Sequence, residues 1–273
     1  MKYNRELQEI NTENKAYLLG LFYSDGSISR TKNTIKYSIN LLLKDKELIE
    51  DIHTIFPFFN ISCYKEKYSY LRSGFKSLYN DLLNNGCLPQ KSSTNRDLLR
   101  LPLLDDSLIR HFIRGYFDGD GGCTLTKGIL KEQKRVYIYS ASKYLIKDFK
   151  DYLDNKNIKS SIATSPIREN SILVYKLTIR TESYRLFYNF LYEDSELYMK
   201  RKYNLFTKIL STNLLIRKPT PNCKFCNSSH VVCNGYNYYK EKRQNYLCKD
   251  CNRHFSAPLS SNIQSGGDEL LED

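Results

Sequence analysis

The feature that most constrains the fold is a ten-residue segment that occurs twice. The first copy reads Tyr-Leu-Leu-Gly-Leu-Phe-Tyr-Ser-Asp-Gly (residues 17–26), and the second reads Phe-Ile-Arg-Gly-Tyr-Phe-Asp-Gly-Asp-Gly (residues 112–121). In both copies the same spacing separates an inner glycine, Gly20 or Gly115, from a terminal Asp-Gly pair. The two copies are separated by about the length of a small domain. The sequence therefore predicts two related units that each combine helices and strands.

Each copy is predicted to form a helix that ends at an acid. An apolar run followed by Asp-Gly is typical of a helix that stops at a residue tolerating positive φ. Asp25 and Asp120 would therefore lie at helix C-termini, where the negative end of the helix dipole repels a carboxylate. An acid placed there twice indicates that a cation binds beside it.

A stripe of small residues follows one face of each predicted helix. Ala16, Gly20 and Ser24 are one turn apart in the first copy, as are Gly115 and Gly119 in the second. Such a stripe lets two helix backbones pack closely. If the helices pack side by side and parallel, their terminal carboxylates converge and can hold Mg²⁺ or a similar hard cation. A single Asp-Gly after an apolar helix is usually only a turn, so the hypothesis depends on the second copy.

The segments Leu-Leu-Gly-Leu-Phe-Tyr-Ser-Asp-Gly and Ile-Arg-Gly-Tyr-Phe-Asp-Gly-Asp-Gly resemble the two signature motifs of single-chain LAGLIDADG homing endonucleases. The resemblance implies an α+β fold with two pseudo-symmetric αββαββα repeats and the motif helices at their interface. It also implies two curved antiparallel sheets that form a DNA-binding saddle. The expected partner is double-stranded DNA with a long asymmetric target site, bound by a monomer.

The resemblance also assigns roles to residues of the two motifs. The last acid of each motif binds divalent ions in the family, which implies that Asp25 and Asp120 are catalytic and bind Mg²⁺ or Mn²⁺. The preceding backbone carbonyl often helps, and this role maps onto Ser24 and Gly119. Tyr23 departs from the motif because an aspartate usually occupies its position, as it does in the second copy.

A lysine follows the third predicted helix of each repeat. Lys91 and Lys200 each lie eleven residues beyond a matching asparagine. In the family such a lysine often lies beside each metal site, which implies that it stabilises charge on the scissile phosphate or polarises the attacking water. A phosphate-positioning or solvated lysine is the alternative at both positions, and at Lys200 two further cations, Arg201 and Lys202, follow directly.

Hydrophobic periodicity predicts the same order of elements in the first repeat (residues 1–100) and in the second (residues 101–210). In the first repeat, strands are predicted at residues 34–43, 61–65 and 68–72, and helices at 44–56 and 75–85, the former stopped by Pro57. In the second repeat, strands are predicted at residues 123–126, 135–141, 160–165 and 172–180, and a helix at 143–153.

The strands predicted at residues 34–43 and 172–180 alternate apolar and polar residues. A sheet built from them would bury one face and leave a polar, partly basic face. Polar side chains on strands can read base edges in the major groove of DNA. The candidate DNA-contacting residues are Lys36, Asn40, Lys176 and Arg180. For each of them, a merely solvated sheet face is the alternative.

Composition agrees with a nucleic-acid partner. The 273 residues carry a formal net charge of +12 and include 23 tyrosines, a balance that suits a polyanion. An apolar content of 41% supports a globular chain. No run of eighteen apolar residues and no apolar signal core near the N-terminus are present, so we expect an intracellular protein without a membrane-spanning segment.

The C-terminal part is predicted to be a separate metal-binding module. Residues 211–222 contain two prolines and lack periodicity, which indicates a linker. Two C-x₂-C pairs then follow with 21 residues between them, the spacing of a Cys₄ zinc site. The predicted Zn²⁺ ligands are Cys223, Cys226, Cys248 and Cys251. Two disulfides are the alternative, and an intracellular context argues against them.

Residues 223–257 resemble the zinc ribbons of transposases and other DNA enzymes, with two strands joined by a basic turn. The resemblance implies an extra DNA contact that lengthens the recognised site, and protein docking remains the alternative. Residues 258–273 are rich in Ser, Gly and acids, which predicts a disordered acidic tail.

The function expected from these observations is site-specific, metal-dependent hydrolysis of both strands of DNA, with one aspartate per repeat. The expected biological role of this cleavage is intron homing. The alternative is a nucleic-acid-binding protein that uses the same fold without cleavage, either a group I intron RNA maturase or a transcription regulator. Relatives without cleavage commonly lose one or both motif acids. Both acids are present here, which favours the nuclease.

Overall fold

Two helices, α1 (Glu13–Ser24) and α4 (Asp106–Asp120), pack against each other at the centre of the N-terminal body, residues 1–213. The remaining residues, 214–273, form a second compact unit, here called the C-terminal module. The computed structural model describes residues 2–31, 36–64, 68–127, 132–164, 173–212, 221–237 and 243–258.

Helix α1 is apolar on all sides because it is enclosed on all sides. Its residues from Ala16 to Ser24 are all buried. The helix begins where the Thr12 side chain accepts a hydrogen bond from the amide of Lys15, and it ends at Asp25. At 12 residues it is a core helix. Within the described ranges, no helix has the length and apolar character needed to cross a bilayer.

The first repeat contains α1, four strands and two further helices. After α1, its elements are β1 (Gly26–Thr31), β2 (Lys36–Leu43), α2 (Lys46–Ile55), β3 (Asn60–Tyr64), β4 (Tyr68–Ser73) and α3 (Lys76–Asn84). Helix α2 stops before Pro57, as predicted, and α3 is followed by Gly86 at a φ of +85°. A short 3₁₀ turn at Arg96–Leu98 lies on the way to α4.

The second repeat has the same order and one additional helix. After α4, its elements are β5 (Gly121–Lys127), β6 (Glu132–Ser140), α5 (Lys143–Asn155), β7 (Ser160–Thr164), β8 (Tyr175–Ile179), α6 (Tyr184–Tyr192) and α7 (Lys200–Ser211). A 3₁₀ turn at Thr181–Ser183 leads into α6. Helix α7 was not expected from the sequence, and it follows the αββαββα pattern of the second repeat.

Each repeat forms one antiparallel four-stranded sheet, and the strand order is equivalent in the two. The orders are β1-β2-β4-β3 and β5-β6-β8-β7. The predicted α+β class with two antiparallel sheets is therefore confirmed. Parts of four predicted strands, residues 34–35, 65, 165 and 172, lie outside the described residues.

The alternation predicted for the strands matches their burial. In β2, Ile39, Leu41 and Leu43 are buried, and the residues between them are not. In β8, Leu177 and Ile179 are buried. These inward residues join the motif helices in one continuous core. Ile55, the last residue of α2, is 40% exposed and lies outside this core.

The C-terminal module is a three-stranded antiparallel sheet in the order β11-β10-β9. Its strands are β9 (Val231–Asn237), β10 (Arg243–Cys248) and β11 (His254–Pro258), the last of which was not expected from the sequence. A small core of Cys223, Val231, Cys248 and Phe255 lies beneath them. The predicted linker overlaps residues 213–220, which lie outside the described residues, as does most of the predicted tail.

Candidate active site at the helix interface

The backbones of α1 and α4 are in direct contact at their glycines. A Cβ atom on Gly20 would lie 2.1 Å from the carbonyl oxygen of Phe112, and one on Gly115 would lie 2.0 Å from that of Tyr17. Further along, a Cβ on Gly119 would lie 1.9 Å from Ser24 Oγ. Since later positions on α4 meet later positions on α1, the two helices run parallel. Their C-terminal ends therefore lie together, as the small-residue stripe predicts.

Asp25 and Asp120 lie at this shared end. Asp25 caps α1, and its amide donates to the carbonyl of Leu21 over 3.0 Å, while Asp120 is the last residue of α4. A Cβ on Gly119 would be 3.0 Å from Asp25 Oδ2, so the carboxylate of the first helix lies against the backbone that immediately precedes Asp120. The two acids come from separate repeats and occupy one site.

The electrostatics of the site favour the binding of a cation. Burial raises the pKa of Asp120 to about 6, with a further upward contribution from the Asp25 charge. Partial removal from water also raises the pKa of Asp25. Lys91 and Lys202 lower the pKa of both carboxyls, so each lysine acts on both acids. A divalent ion would remove the repulsion between the two carboxylates.

Lys91 forms hydrogen bonds at the C-terminal end of α1. Its ammonium donates to the carbonyl of Phe22 over 2.7 Å and also to that of Gly26. These carbonyls flank Asp25 in sequence. The positive charge therefore lies at the negative end of the helix dipole, beside a carboxylate that the dipole alone would disfavour. Burial lowers the pKa of Lys91 to about 8.

The residue equivalent to Lys91 in the second repeat is Lys202 and not Lys200. The Lys202 ammonium donates to the carbonyls of Phe117 (2.8 Å), Asp118 (2.6 Å), Gly119 (3.0 Å) and Gly121 (2.6 Å). Phe117 and Gly121 are the motif counterparts of the two residues that Lys91 contacts. Burial lowers the pKa of Lys202.

Lys200 does not belong to the cluster around Asp25 and Asp120. Its side chain is 57% exposed and pairs with Glu47 on α2. The eleven-residue spacing that selected Lys200 therefore pointed to a position two residues before Lys202, the lysine that contacts the end of α4. Lys200 begins α7, and on a helix a displacement of two residues moves a side chain to the opposite face.

A buried polar network at the helix interface was missed by the sequence analysis. Arg114 is fully buried, and it donates to Glu13 Oε1 over 2.7 Å and to the carbonyls of Leu191 and Leu197. Burial of the His111 imidazole, together with the charge of Arg114, lowers the pKa of His111 to about 3, so that imidazole is neutral and can accept from Arg114. Arg114 interrupts the apolar run of the second motif, and this is the signal that the sequence offered.

Both sheets turn a polar face away from the helices that cover their apolar faces. Lys36, Asn40 and Lys176 lie on these outward faces, as predicted from the alternation. Arg180 is exposed directly after the end of β8. Lys176 lies over the ring of Tyr137, with its Nζ 4.3 Å from the centroid.

Two outward-facing arginines were missed by the sequence analysis. Arg72 on β4 lies directly opposite Asn40 and over the ring of Tyr70, and Arg135 on β6 lies opposite Thr124. Cations and aromatic rings therefore alternate with small polar residues on both faces. Both arginines belong to strands that the sequence predicted, at residues 68–72 and 135–141, but the prediction did not include the alternation of those two strands.

The donor set at the helix ends fits a hard divalent cation. Two carboxylates supply oxygen ligands, and the lack of a side chain at Gly119 lets the Ser24 side chain and the Asp25 carboxylate approach the backbone of α4. The backbone carbonyl of Gly119, one of the predicted ligands, already accepts a hydrogen bond from Lys202. Ser24 directs its hydroxyl back to the carbonyls of Gly20 and Leu21, so only its own carbonyl is suited to the predicted role.

The four cysteines of the C-terminal module fit a zinc ion. The Sγ atoms of Cys223, Cys226, Cys248 and Cys251 all lie within 4.8 Å of one another. The Cys223–Cys251 and Cys226–Cys248 sulfur pairs are 3.6 Å apart. Tetrahedral coordination with Zn–S bonds of about 2.3 Å places sulfurs about 3.8 Å apart. All four are free thiols, so the disulfide alternative is not what the structure contains.

These features define a class of tandem-repeat α+β proteins in which paired helices bring one acid from each repeat to a common site. The family model for the LAGLIDADG-like domain matches residues 12–90 and 107–191, one match in each repeat and more than half of the chain together. The chain therefore belongs to the LAGLIDADG-like domain family. Comparison with curated proteins finds no match.

Solved structures of similar shape are distant in sequence. Mesophilic variants of the homing endonuclease I-DmoI are 21% identical, with 68% of this chain and 97% of that chain covered and a TM-score of 0.47. I-DmoI in complex with DNA and Ca is 20% identical, with coverage of 71% and 94% and a TM-score of 0.48. The LAGLIDADG meganuclease I-AabMI bound to uncleaved DNA is 14% identical, with coverage of 71% and 88% and a TM-score of 0.47. The family assignment does not depend on these similarities.

Proposed function

We propose that the chain is a site-specific endonuclease that uses divalent metal ions to hydrolyse both strands of double-stranded DNA. The observation that supports this proposal most strongly is the convergence of Asp25 and Asp120, one from each repeat, at the end of two parallel helices in contact. One acid per repeat suits a substrate with two antiparallel strands. The outward polar faces of the sheets and the net charge of +12 suit the DNA backbone.

Asp25 and Asp120 would hold Mg²⁺ or Mn²⁺, with the backbone carbonyls of Ser24 and Gly119 as further oxygen ligands. Such an ion supplies an activated water and stabilises the oxygen that leaves. Lys91 and Lys202 keep positive charge beside the carboxylates while they fasten the two helix ends. Their charge would also attract the scissile phosphates, and DNA that covers the site would exclude bulk water and strengthen these interactions.

The outward faces of the two sheets would contact the DNA. Arg72 and Lys176 lie over aromatic rings, and Asn40 lies next to Arg72 across the strands. Arginine and lysine suit guanine and phosphate, and asparagine suits adenine. Two sheets with different side chains would suit a long asymmetric target.

The test is cleavage of a plasmid library seeded with genomic DNA that flanks the gene of this protein. With Mg²⁺, the wild type is expected to linearise plasmids that contain the target, and Asp25→Asn or Asp120→Asn is expected to lose this activity by at least about a thousandfold, while DNA binding is retained. Asp97→Asn, at an exposed acid outside the site, is the matched control and should cut as the wild type does. Tight binding by the wild type without cleavage under Mg²⁺ or Mn²⁺ would favour a maturase or a transcription regulator.

A further inference from the structure

Tyr23 and Asp118 occupy equivalent positions in the two motifs, each two residues before the metal-binding acid. Both side chains are buried, at 2% and 0% exposure. None of the hydrogen bonds described for these two side chains is made to Asp25 or Asp120. Each side chain instead contacts the segment that returns from the third helix of its repeat and carries the active-site lysine.

In the first repeat, the contact is made by a hydroxyl. The Tyr23 hydroxyl donates to the carbonyl of Asn85 over 2.9 Å. The next residue, Gly86, has a φ of +85°, and a Cβ there would lie 2.0 Å from the Tyr23 oxygen. The ring of Tyr23 therefore packs directly on the turn that ends α3. Lys91 lies five residues beyond this turn, and its ammonium fastens to the end of α1.

In the second repeat, the contact is made by a carboxylate. Asp118 Oδ2 accepts from the backbone amide of Met199 over 2.8 Å and from the Tyr17 hydroxyl over 2.7 Å. Met199 is the N-cap residue of α7, and Lys202 lies on the first turn of that helix. The carboxylate therefore fixes the start of α7, and the helix then directs Lys202 to the end of α4.

Tyr23 donates a hydrogen bond and Asp118 accepts one, because the backbone groups that they meet are an acceptor and a donor. A backbone carbonyl needs a donor, which tyrosine provides, and a backbone amide needs an acceptor, which a carboxylate provides. An aspartate at position 23 would face the carbonyl of Asn85 with negative charge. The departure of Tyr23 from the motif is thus explained by the contact that it makes.

We propose that Tyr23 and Asp118 are positioning residues that set the location of Lys91 and Lys202, one in each repeat. Each holds its lysine-bearing segment at a single backbone group. Loss of one contact therefore affects the lysine of one repeat and leaves the other in place. The cleavage readout of this proposal rests on the proposed nuclease function, and the exchange readout does not.

The experiment compares Tyr23→Phe and Asp118→Leu with Tyr184→Phe in the full-length protein. Tyr184 is the matched control because its hydroxyl also donates to a backbone carbonyl, that of Lys134, and the substitution keeps the ring that packs against Phe206 on α7. Hydrogen exchange followed by mass spectrometry reports on residues 85–91 and 199–202. We expect faster exchange only at 85–91 in Tyr23→Phe and only at 199–202 in Asp118→Leu. Asp118→Asn, which keeps an oxygen acceptor for Met199, should restore most of the protection.

Single-turnover cleavage of a target plasmid is the second readout. Tyr23→Phe and Asp118→Leu should each slow the cut of one strand by about tenfold to about a hundredfold, so that nicked circles accumulate, and the two variants should leave opposite strands uncut. DNA affinity and the rates of Tyr184→Phe should match the wild type.

Equal slowing of both strands, or exchange changes no larger than those of Tyr184→Phe, would overturn the positioning role. A wild type that binds DNA without cutting would instead overturn the nuclease function, and the exchange comparison would then decide the positioning role alone.

Discussion

Lys200 and Lys202 are two positions apart on α7 and lie in different environments. Successive residues of a helix are rotated by about 100°, so these two side chains emerge on opposite faces. Lys202 is 6% exposed and is held by four backbone carbonyls, whereas Lys200 lies at the surface with Glu47. The difference separates a residue of the site from a neighbouring surface residue.

Replacement of Lys202 by methionine should therefore reduce DNA cleavage, because it keeps the volume of the side chain and removes its charge and hydrogen bonds. We expect cleavage to slow by about a hundredfold. The free energy of unfolding should fall by about 1–3 kcal/mol, since buried carbonyls lose their donor. Single-turnover kinetics and urea denaturation measure the two effects.

Lys200→Met is the matched control for this prediction. Its exposed ion pair with Glu47 contributes little, so both cleavage and stability should stay near the wild type. Equal losses in the two variants would place the two lysines in equivalent roles and contradict the geometry of α7.

At the scale of elements, the fold depends on the close approach of α1 and α4. Gly20 and Gly115 each face a backbone carbonyl across the interface, at distances that exclude any side chain. This contact sets the separation of the helices and brings the terminal acids together. The glycines are therefore required for packing, and the convergence of the two acids depends on that packing.

Gly20→Ala should destabilise the protein, because its Cβ would lie 2.1 Å from the Phe112 carbonyl oxygen and the helices would have to separate. Overpacking of this kind costs about 1–3 kcal/mol or more. Gly74→Ala is the control, since its Cβ would meet only the Tyr37 carbonyl at an ordinary 3.5 Å. In urea denaturation, Gly20→Ala should unfold at a lower midpoint than Gly74→Ala, with the same m-value. Similar denaturation midpoints for the two variants would show that the contact between α1 and α4 is looser than described.

The sequence was sufficient for the helix pair, most of the strands and both carboxylates, because repetition and periodicity are local signals, but it did not predict β1 or β11. It was insufficient for Lys202, since the choice between adjacent lysines depends on which face of α7 packs inward, and α7 itself had not been predicted. Arg114 was missed for a related reason. Its partners Glu13, Leu191 and Leu197 are distant in sequence and meet only in the folded chain.

At the scale of the whole molecule, the chain combines two units that are stabilised in different ways. The N-terminal body has one extended hydrophobic core that spans both repeats. Among its described residues, the C-terminal module has a core of four buried residues, two of which are cysteines of the cluster. A core of that size offsets little of the conformational entropy of the module, so we expect metal binding to supply much of its folding free energy.

Removal of zinc should therefore unfold the module and leave the body folded. We expect one zinc ion per chain by elemental analysis, and loss of exchange protection in β9–β11 after treatment with a strong chelator, with protection in α1 and α4 unchanged. Cys248→Ser should lose the ion. Cys233→Ser is the matched control because Cys233 lies on β9 outside the cluster, and this variant should bind zinc as the wild type does.

The same preparation tests whether the module lengthens the DNA contact. After chelation and return of excess Mg²⁺, the body should still cut its target, because the ion proposed at Asp25 and Asp120 is a different one from the ion proposed at the cysteines. Its nuclease footprint should be shorter than that of the zinc-loaded protein, since exposed cations such as Lys224 and Arg253 would no longer be held in place. An unchanged footprint, together with loss of the module's protection from exchange, would assign the module to a protein partner instead of DNA.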